Sequence, residues 1–308
     1  MIRRKDIQRT LIENTLRLHL HRYDSDSDRV LRRLIDIGTS VSKTPGQSAI
    51  FKKISSLFND SNSLYYPALK KEFDNVNRDH FVHFCTNLGY LSWKRGPKEL
   101  SDYNKTSAKK LSWLQESEVS SENIKDIDCN SLDKSISSYN QKGVYAFNYK
   151  IKDESVAESF ISLLIPVINT YKDSDFMIIL PDLILDDETI DQLSLIPNLL
   201  ISIAWGADNS DAMSEILSEK KILYSFHYYY GKDDSSPDGY TILEDVFDRL
   251  SQQNTSLVFM LPAKGLTDKE KASVHKKILR YRSGSYYPLL ITDYYFDVER
   301  INKLIYSQ

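Results

Sequence analysis

A histidine and two aspartates follow short apolar runs in the second half of the sequence, and they are the candidates for acid–base chemistry. His227 lies between such a run and three tyrosines, while Asp182 and Asp293 each come just after another run. An imidazole can accept or donate a proton near neutral pH, and a carboxylate can orient the ring. We therefore predict a catalytic group of His227, Asp182 and Asp293. The alternative for His227 is a partly buried ring that bonds to a backbone carbonyl.

Other polar and aromatic residues stand at the same kind of position, and we predict that they bind a ligand. Two lysines among them could hold an anion, and an indole offers a stacking surface. Tyrosine clusters nearby would suit recognition of a peptide. The alternatives are solvated loop lysines, a tryptophan that covers the sheet end, and tyrosines that favour strands. The predicted ligand-binding residues are Asn148, Lys150, Trp205, Asp208, Tyr228 and Lys264.

Metal and cofactor sites are not predicted. The chain has two cysteines, Cys85 and Cys129, which are too few for a four-thiolate zinc site or an iron–sulfur cluster. His80 and His83 share a helical face and could ligate a metal, but Cys85 lies on a different face. Glycine is scarce, with 10 in 308 residues, and no glycine-rich phosphate-binding motif occurs.

The elements that must position these residues follow from a repeated pattern. Short apolar runs alternate with polar stretches and segments of helical periodicity, which is typical of a parallel sheet wound with helices. We predict an α/β fold, a partial (βα)6 barrel of parallel strands, in which the candidate residues lie at the carboxyl ends of the strands. The six runs lie at 144–147, 176–180, 199–203, 222–226, 257–261 and 288–291.

The periodicity divides the chain into two predicted domains. Residues 1–100 contain helical patterns and are expected to form an all-helical domain, and residues 101–308 are expected to form the barrel. The acidic stretch 116–128 is predicted to be a loop. A net charge of −3 argues against strong non-specific attraction to nucleic acid. No apolar run is long enough to cross a membrane and no secretory signal is recognisable, so we expect a cytoplasmic protein.

From about residue 75 to residue 300 this pattern resembles the radical S-adenosylmethionine proteins, whose core is a partial (βα)6 barrel. The segment 75–93 is similar to the helical lead-in of one subgroup, and 112–115 to its first barrel strand. The segment 132–147 is similar to its first helix and second strand. The segment 264–290 is similar to its late helix and final strand.

The motifs that carry the family's chemistry are absent. The family's CxxxCxxC motif would fall at 116–122, which contains no cysteine, and its GGEP motif would fall at 148–151, which reads Asn-Tyr-Lys-Ile. The resemblance therefore implies a relative without an iron–sulfur cluster, in other words a pseudoenzyme, and it transfers no functional residue to this chain.

Three functions remain as hypotheses. The first is a non-catalytic binding protein that holds a partner protein or peptide at the barrel mouth and accompanies an intact enzyme. The second is an enzyme that uses the His227 group. The third, which the net charge disfavours, is nucleic-acid binding through basic amino-terminal helices. The basic residues concerned are Arg3, Arg4, Lys5, Arg9, Arg17, Arg22, Arg29, Arg32 and Arg33.

Overall fold

The structure is a computed structural model that describes residues 7–41, 48, 52, 55–58 and 63–306. Its centre is a sheet of seven strands, which are arranged in chain order from β1 to β7. Every neighbouring pair is parallel, and the sheet curls into a half-barrel. The strands are β1 Leu114–Val119, β2 Ala146–Ile151, β3 Asp175–Ile179, β4 Leu199–Ala204, β5 Tyr224–Tyr230, β6 Leu257–Pro262 and β7 Leu290–Asp293.

The α/β fold and the parallel half-barrel confirm the coarse prediction, but the strand count differs from six. The additional strand is β1, which begins within the segment 112–115 that resembles a first barrel strand and whose central residues 115–118 are all polar. Part of it falls in the stretch predicted to be a loop. Only its terminal residues Leu114 and Val119 are buried, so the strand carries no apolar run. Its place is fixed by pairing with β2 over its whole length, which a search for apolar runs does not detect.

Helices join the strands, because parallel neighbours need a crossover connection. Outward-facing strand residues such as Phe147, Phe176 and Phe226 pack with these helices in the largest buried cluster. The α-helices of the described residues are α1 Ile7–Leu20, α2 Ser27–Val41, α3 Tyr65–Asn75, α4 Arg78–Thr86, α5 Gly96–Thr106, α6 Cys129–Asn140, α7 Ala157–Thr170, α8 Asp187–Ser194, α9 Ser210–Glu219, α10 Lys232–Ser235, α11 Gly239–Ser251, α12 Asp268–Gly284 and α13 Tyr294–Tyr306. A π-helix, Asn87–Arg95, joins α4 to α5.

Helices α3 and α5 pack directly on the sheet. Val76 and Leu100 belong to one buried cluster with inward-facing strand residues, which include Met177. The carboxylate of Glu72, in α3, is fully buried and accepts a hydrogen bond of 2.9 Å from the Thr255 hydroxyl. A shared core therefore joins these helices to the sheet. The predicted division into domains at residue 100 stays a prediction.

Two further observations concern the class of protein. Among the described residues, every helix is too short or too polar to cross a lipid bilayer. The same residues contain no group of three or more histidine, cysteine or acidic side chains that could bind a metal ion.

Candidate functional site

In β1 and β2 the inward-facing side chains change from apolar to polar towards the carboxyl ends of the strands, whereas the inward face of β3 stays apolar. In β2 the inward positions are Ala146, Asn148 and Lys150, and in β1 they are Leu114, Glu116 and Glu118. The register pairs these residues across the two strands. Because alternate residues share a face, the apolar lower layer carries the core and the polar upper layer lines the mouth.

A cavity of about 300 Å³ lies in this mouth. It is close to the lower end of the range of volumes found for small-molecule sites. Its walls come from β1, β2, β3, β6 and the first turn of α13. The lining residues are Glu116, Ser117, Glu118, Asn148, Lys150, Ile179, Leu261, Pro262, Tyr294 and Tyr295. Two of the predicted ligand-binding residues, Asn148 and Lys150, therefore line the same cavity.

Hydrogen bonds across the cavity wall fix the orientation of the Asn148 amide. Asn148 Nδ2 donates to the Tyr294 hydroxyl at 2.5 Å, and that hydroxyl donates to Glu116 Oε1 at 2.6 Å. A tyrosine hydroxyl has one hydrogen, which is committed to Glu116, so Asn148 must offer its amino group. Its carbonyl oxygen Oδ1 is then left buried with no hydrogen-bond partner, in a side chain of a residue only 3% exposed.

A buried acceptor without a partner is costly unless a ligand or water supplies the donor. In this wall of the cavity, Asn148 is thus the residue with an unused buried acceptor, its Oδ1 atom. Tyr294 is fully committed, and burial together with the neighbouring Glu116 carboxylate raises its pKa well above the usual value.

Opposite charges meet at the rim of the cavity. Glu118 pairs with Lys152 at 2.8 Å, and this bond lowers the pKa of Glu118. Lys150 turns instead towards β5, where its ammonium lies 4.6 Å from the centre of the Tyr229 ring. Burial, followed by repulsion from Lys152, lowers the pKa of Lys150. The site therefore combines carboxylates and ammonium groups within one small opening.

His227 is buried inside the barrel, and it does not pair with either predicted carboxylate. Its Nδ1 lies 3.1 Å from the hydroxyl of Ser202, which also accepts a bond from Ser225. Burial, followed by the charge of Lys150, lowers the pKa of His227 to about 3. A ring with so low a pKa is neutral at physiological pH and is too weak a base to match general-base catalysis there.

Asp182 has a structural role at the end of a strand. Its carboxylate accepts the backbone N–H groups of Asp208 at 3.2 Å and Asn209 at 3.0 Å. These residues directly precede α9, so Asp182 holds the loop that begins this helix. Asp208, predicted to bind a ligand, contributes its backbone N–H to this same arrangement.

Asp293 pairs with a histidine that the sequence analysis did not select. His275, on α12, places Nδ1 at 2.7 Å from Asp293 Oδ2, and its ring stacks on Phe296 with centroids 4.2 Å apart. Asp293 is fully buried, and burial raises its pKa although the bond to His275 opposes this effect. The described structure therefore contains a histidine–aspartate pair, but not the predicted one.

The remaining predicted residues lie apart from the cavity. Trp205 packs edge-on against Phe226 and lies beneath the Arg249 guanidinium, beside an open groove of about 350 Å³. The Tyr228 hydroxyl donates to Asp234 at 3.1 Å. Lys264 is exposed on the loop after β6.

The basic residues of the first helix are partly neutralised. Arg17 forms an ion pair of 2.7 Å with Asp79 and another of 2.9 Å with Glu13. Arg9 is buried against Asn87. These contacts are those of a helix that packs on its neighbours. Arg3, Arg4 and Lys5 lie outside the described residues.

The cavity residues that sequence reasoning missed are Glu116, Glu118, Tyr294 and Tyr295. The two glutamates were hidden because their segment was predicted to be a loop. The segment Leu-Gln-Glu-Ser-Glu-Val lacks the apolar–polar alternation that signals a half-buried strand, because its four central residues are all polar. The sequence does not link Tyr294 to the site, because its contact with Asn148 spans 146 positions.

No protein-family model matches this sequence, and a search of curated proteins finds no significant match.

Proposed function

We propose that this chain is a non-catalytic binding protein whose half-barrel mouth holds a segment of a partner protein or peptide. In this proposal the barrel derives from the radical S-adenosylmethionine proteins and has lost its cluster-binding cysteines. The partner in this proposal is an enzyme that retains the CxxxCxxC motif. The resemblance in strand pattern supports this descent, and the absence of CxxxCxxC is the reason for proposing a protein without the cluster.

The observation that carries the proposal is the incomplete wall of the cavity. Asn148 Oδ1 is buried without a partner beside a cavity of about 300 Å³, and carboxylates and a lysine border the same space. Peptides offer the matching groups, because each backbone unit carries one donor and one acceptor. The low pKa of His227, together with its serine partner, favours binding over catalysis by this residue.

The test is a selection of random phage-displayed peptides on the immobilised chain, followed by calorimetric titration of the enriched peptides. We expect Asn148→Ala to weaken their binding about tenfold, which corresponds to the loss of one buried hydrogen bond. Asn130→Ala, at an exposed position, is the matched control and should bind as the wild type does. The proposal fails if no peptide is enriched, or if the enriched peptides bind Asn148→Ala equally well.

A second candidate function is an enzyme, and the His275–Asp293 pair favours it. A buried carboxylate that fixes one imidazole nitrogen is the arrangement used to orient a general base. A panel of p-nitrophenyl esters would test this alternative, with His275→Gln as the comparison. Hydrolysis that falls to the background rate in His275→Gln would support an enzyme, and equal rates for the two proteins would remove it.

A further inference from the structure

Strand β1 forms one open edge of the half-barrel. It is the first strand in the sheet order and pairs only with β2. Its residues Glu116, Ser117 and Glu118 are exposed. An edge strand of this kind can accept another strand, since half of its backbone groups face away from the sheet.

The hydrogen bonds of Val119 show which backbone groups these are. The Val119 carbonyl accepts the Lys152 N–H of the β2 side at 2.8 Å. Backbone direction alternates along a strand, so Ser117 and Gln115 also face β2, whereas Glu116 and Glu118 face outwards. The Leu114 N–H, which faces outwards too, is bonded to the Ser112 hydroxyl at 3.3 Å.

In Glu116 and Glu118 the outward carbonyl groups accept hydrogen bonds, but the outward N–H groups donate none to a described residue. The Glu118 carbonyl accepts Asn123 Nδ2 at 2.9 Å, and the Glu116 carbonyl has a long contact of 3.4 Å with Gln115 Nε2. Within the described part of the chain, the backbone N–H groups of Glu116 and Glu118 face away from β2 and have no acceptor.

Helix α13 covers only the lower end of this edge. The Trp113 indole donates to the Val298 carbonyl at 3.3 Å, and Asn302 bonds to Ser112 at 2.9 Å. Higher up, the contact to β1 comes from the Tyr294 hydroxyl, through the Glu116 side chain. The open stretch of β1 is therefore also a wall of the mouth cavity.

The opposite edge offers less room. Strand β7 has four residues and runs directly into α13. The N–H of its last residue, Asp293, is bonded to the Asp297 carboxylate at 3.0 Å. Of the two sheet edges, β1 is the one with free backbone donors next to the cavity.

We propose that the partner segment binds as an added strand along residues 115–118, with lysine or arginine at every second position. This inference rests on the proposed function. The charge of β1 favours a cationic partner, because the strand carries two carboxylates and no cation. Glu118 already pairs with Lys152, so Glu116 is the main source of this preference. Opposite charges on directly facing cross-strand positions stabilise a sheet, and like charges destabilise it. Backbone hydrogen bonds supply affinity, and the alternate side chains supply specificity.

The test uses a fluorescein-labelled peptide of alternating lysine and threonine, the same peptide with alternating glutamate and threonine, and the lysine peptide N-methylated at every second residue. Anisotropy measures binding to the full chain, and amide hydrogen exchange is followed by NMR. We expect the lysine peptide alone to bind, and N-methylation of the bonded face to weaken binding at least tenfold. The exchange of the Glu116 and Glu118 N–H groups should slow at least tenfold on binding.

Two variants of the protein refine the test. Glu118→Pro removes an outward N–H while leaving the bonds to β2, since proline is tolerated at an edge position of this kind. Glu118→Gln removes only the charge and is the matched control. We expect Glu118→Pro to weaken the binding of the lysine peptide more than Glu118→Gln does. The N-methylated peptide gives the same information without any change to the protein.

Equal binding of the lysine and N-methylated peptides, or no binding of the lysine peptide, overturns the added strand. The proposed function is judged separately by the selected peptides. If these bind in an Asn148-dependent way but leave the exchange of Glu116 and Glu118 unchanged, the proposed function stands and the added strand falls. If no selected peptide binds, both fall.

Discussion

Asp175, the first residue of β3, should destabilise the protein at neutral pH. It is 2% exposed, and neither of its carboxylate oxygens has a hydrogen-bond partner. Burial raises the pKa of Asp175 well above its usual value, more than the nearby Asn87 amide and Arg9 guanidinium lower it. Folding at pH 7 must therefore either bury an unpaired charge or bind a proton that the unfolded chain has released.

The substitution Asp175→Asn removes this cost, because an amide has nearly the same shape and carries no charge. An unsatisfied buried polar group costs about 1–3 kcal/mol, and more when it is charged. We therefore expect Asp175→Asn to raise the free energy of unfolding by about 1–3 kcal/mol at pH 7. Because the new amide still lacks some hydrogen-bond partners, we expect a gain in the lower half of this range.

The gain should depend on pH with a definite sign. The pKa of the Asp175 carboxyl is raised in the folded protein. Its contribution to the stability of the wild type is therefore fully present below the pKa of the unfolded chain, about 3.9, and is lost as the pH rises through the pKa of the folded protein. The difference between variant and wild type should be small at pH 4 and large at pH 7. Urea unfolding followed by tryptophan fluorescence at the two pH values measures it.

The matched control is Asp248→Asn, at an exposed position on α11, which should change stability by less than about 0.5 kcal/mol at either pH. The reasoning about Asp175 is refuted if Asp175→Asn is less stable than the wild type at pH 7. It is also refuted if the gain is the same at both pH values, because a buried ionisable group cannot give a pH-independent effect.

Three other buried side chains of the sheet and of α13, Tyr230, Tyr294 and His227, give further predictions. The Tyr230 hydroxyl is buried without a partner, so Tyr230→Phe should leave stability unchanged or raise it by up to about 1 kcal/mol in urea unfolding. Tyr294→Phe should instead lower the stability by about 1–2 kcal/mol, because Asn148 Nδ2 and Glu116 lose the hydroxyl between them. A loss of stability no larger than that of Tyr230→Phe would contradict this bonding. The ring resonances of His227 should not shift in NMR spectra between pH 8 and pH 5, because its pKa is about 3, and a midpoint near pH 6.5 would show that the ring is not buried as described. Since the folded pKa of His227 is lowered, its contribution to stability should be lost as the pH falls below about 6.5.

The sequence predicted most of the sheet because parallel strands are buried on both faces. The run 176–180 is apolar throughout, the run 222–226 is interrupted only by Ser225, and all five residues of β3 are buried. The same rule explains the failure at β1, where an edge position leaves Gln115–Glu118 in contact with solvent and no apolar run is required. Hydrophobicity reports burial, so it cannot detect a strand that is held mainly by backbone hydrogen bonds.

For the candidate site, the order of residues along the chain determined which side chains reach the carboxyl ends of the strands. Asn148 and Lys150 were found in this way. Their partners were decided by the curvature of the sheet and by the packing of α12 and α13, which bring Tyr294 to Asn148 and His275 to Asp293. Such contacts depend on distances between elements, and a sequence pattern encodes the periodicity within an element rather than the distance between two of them.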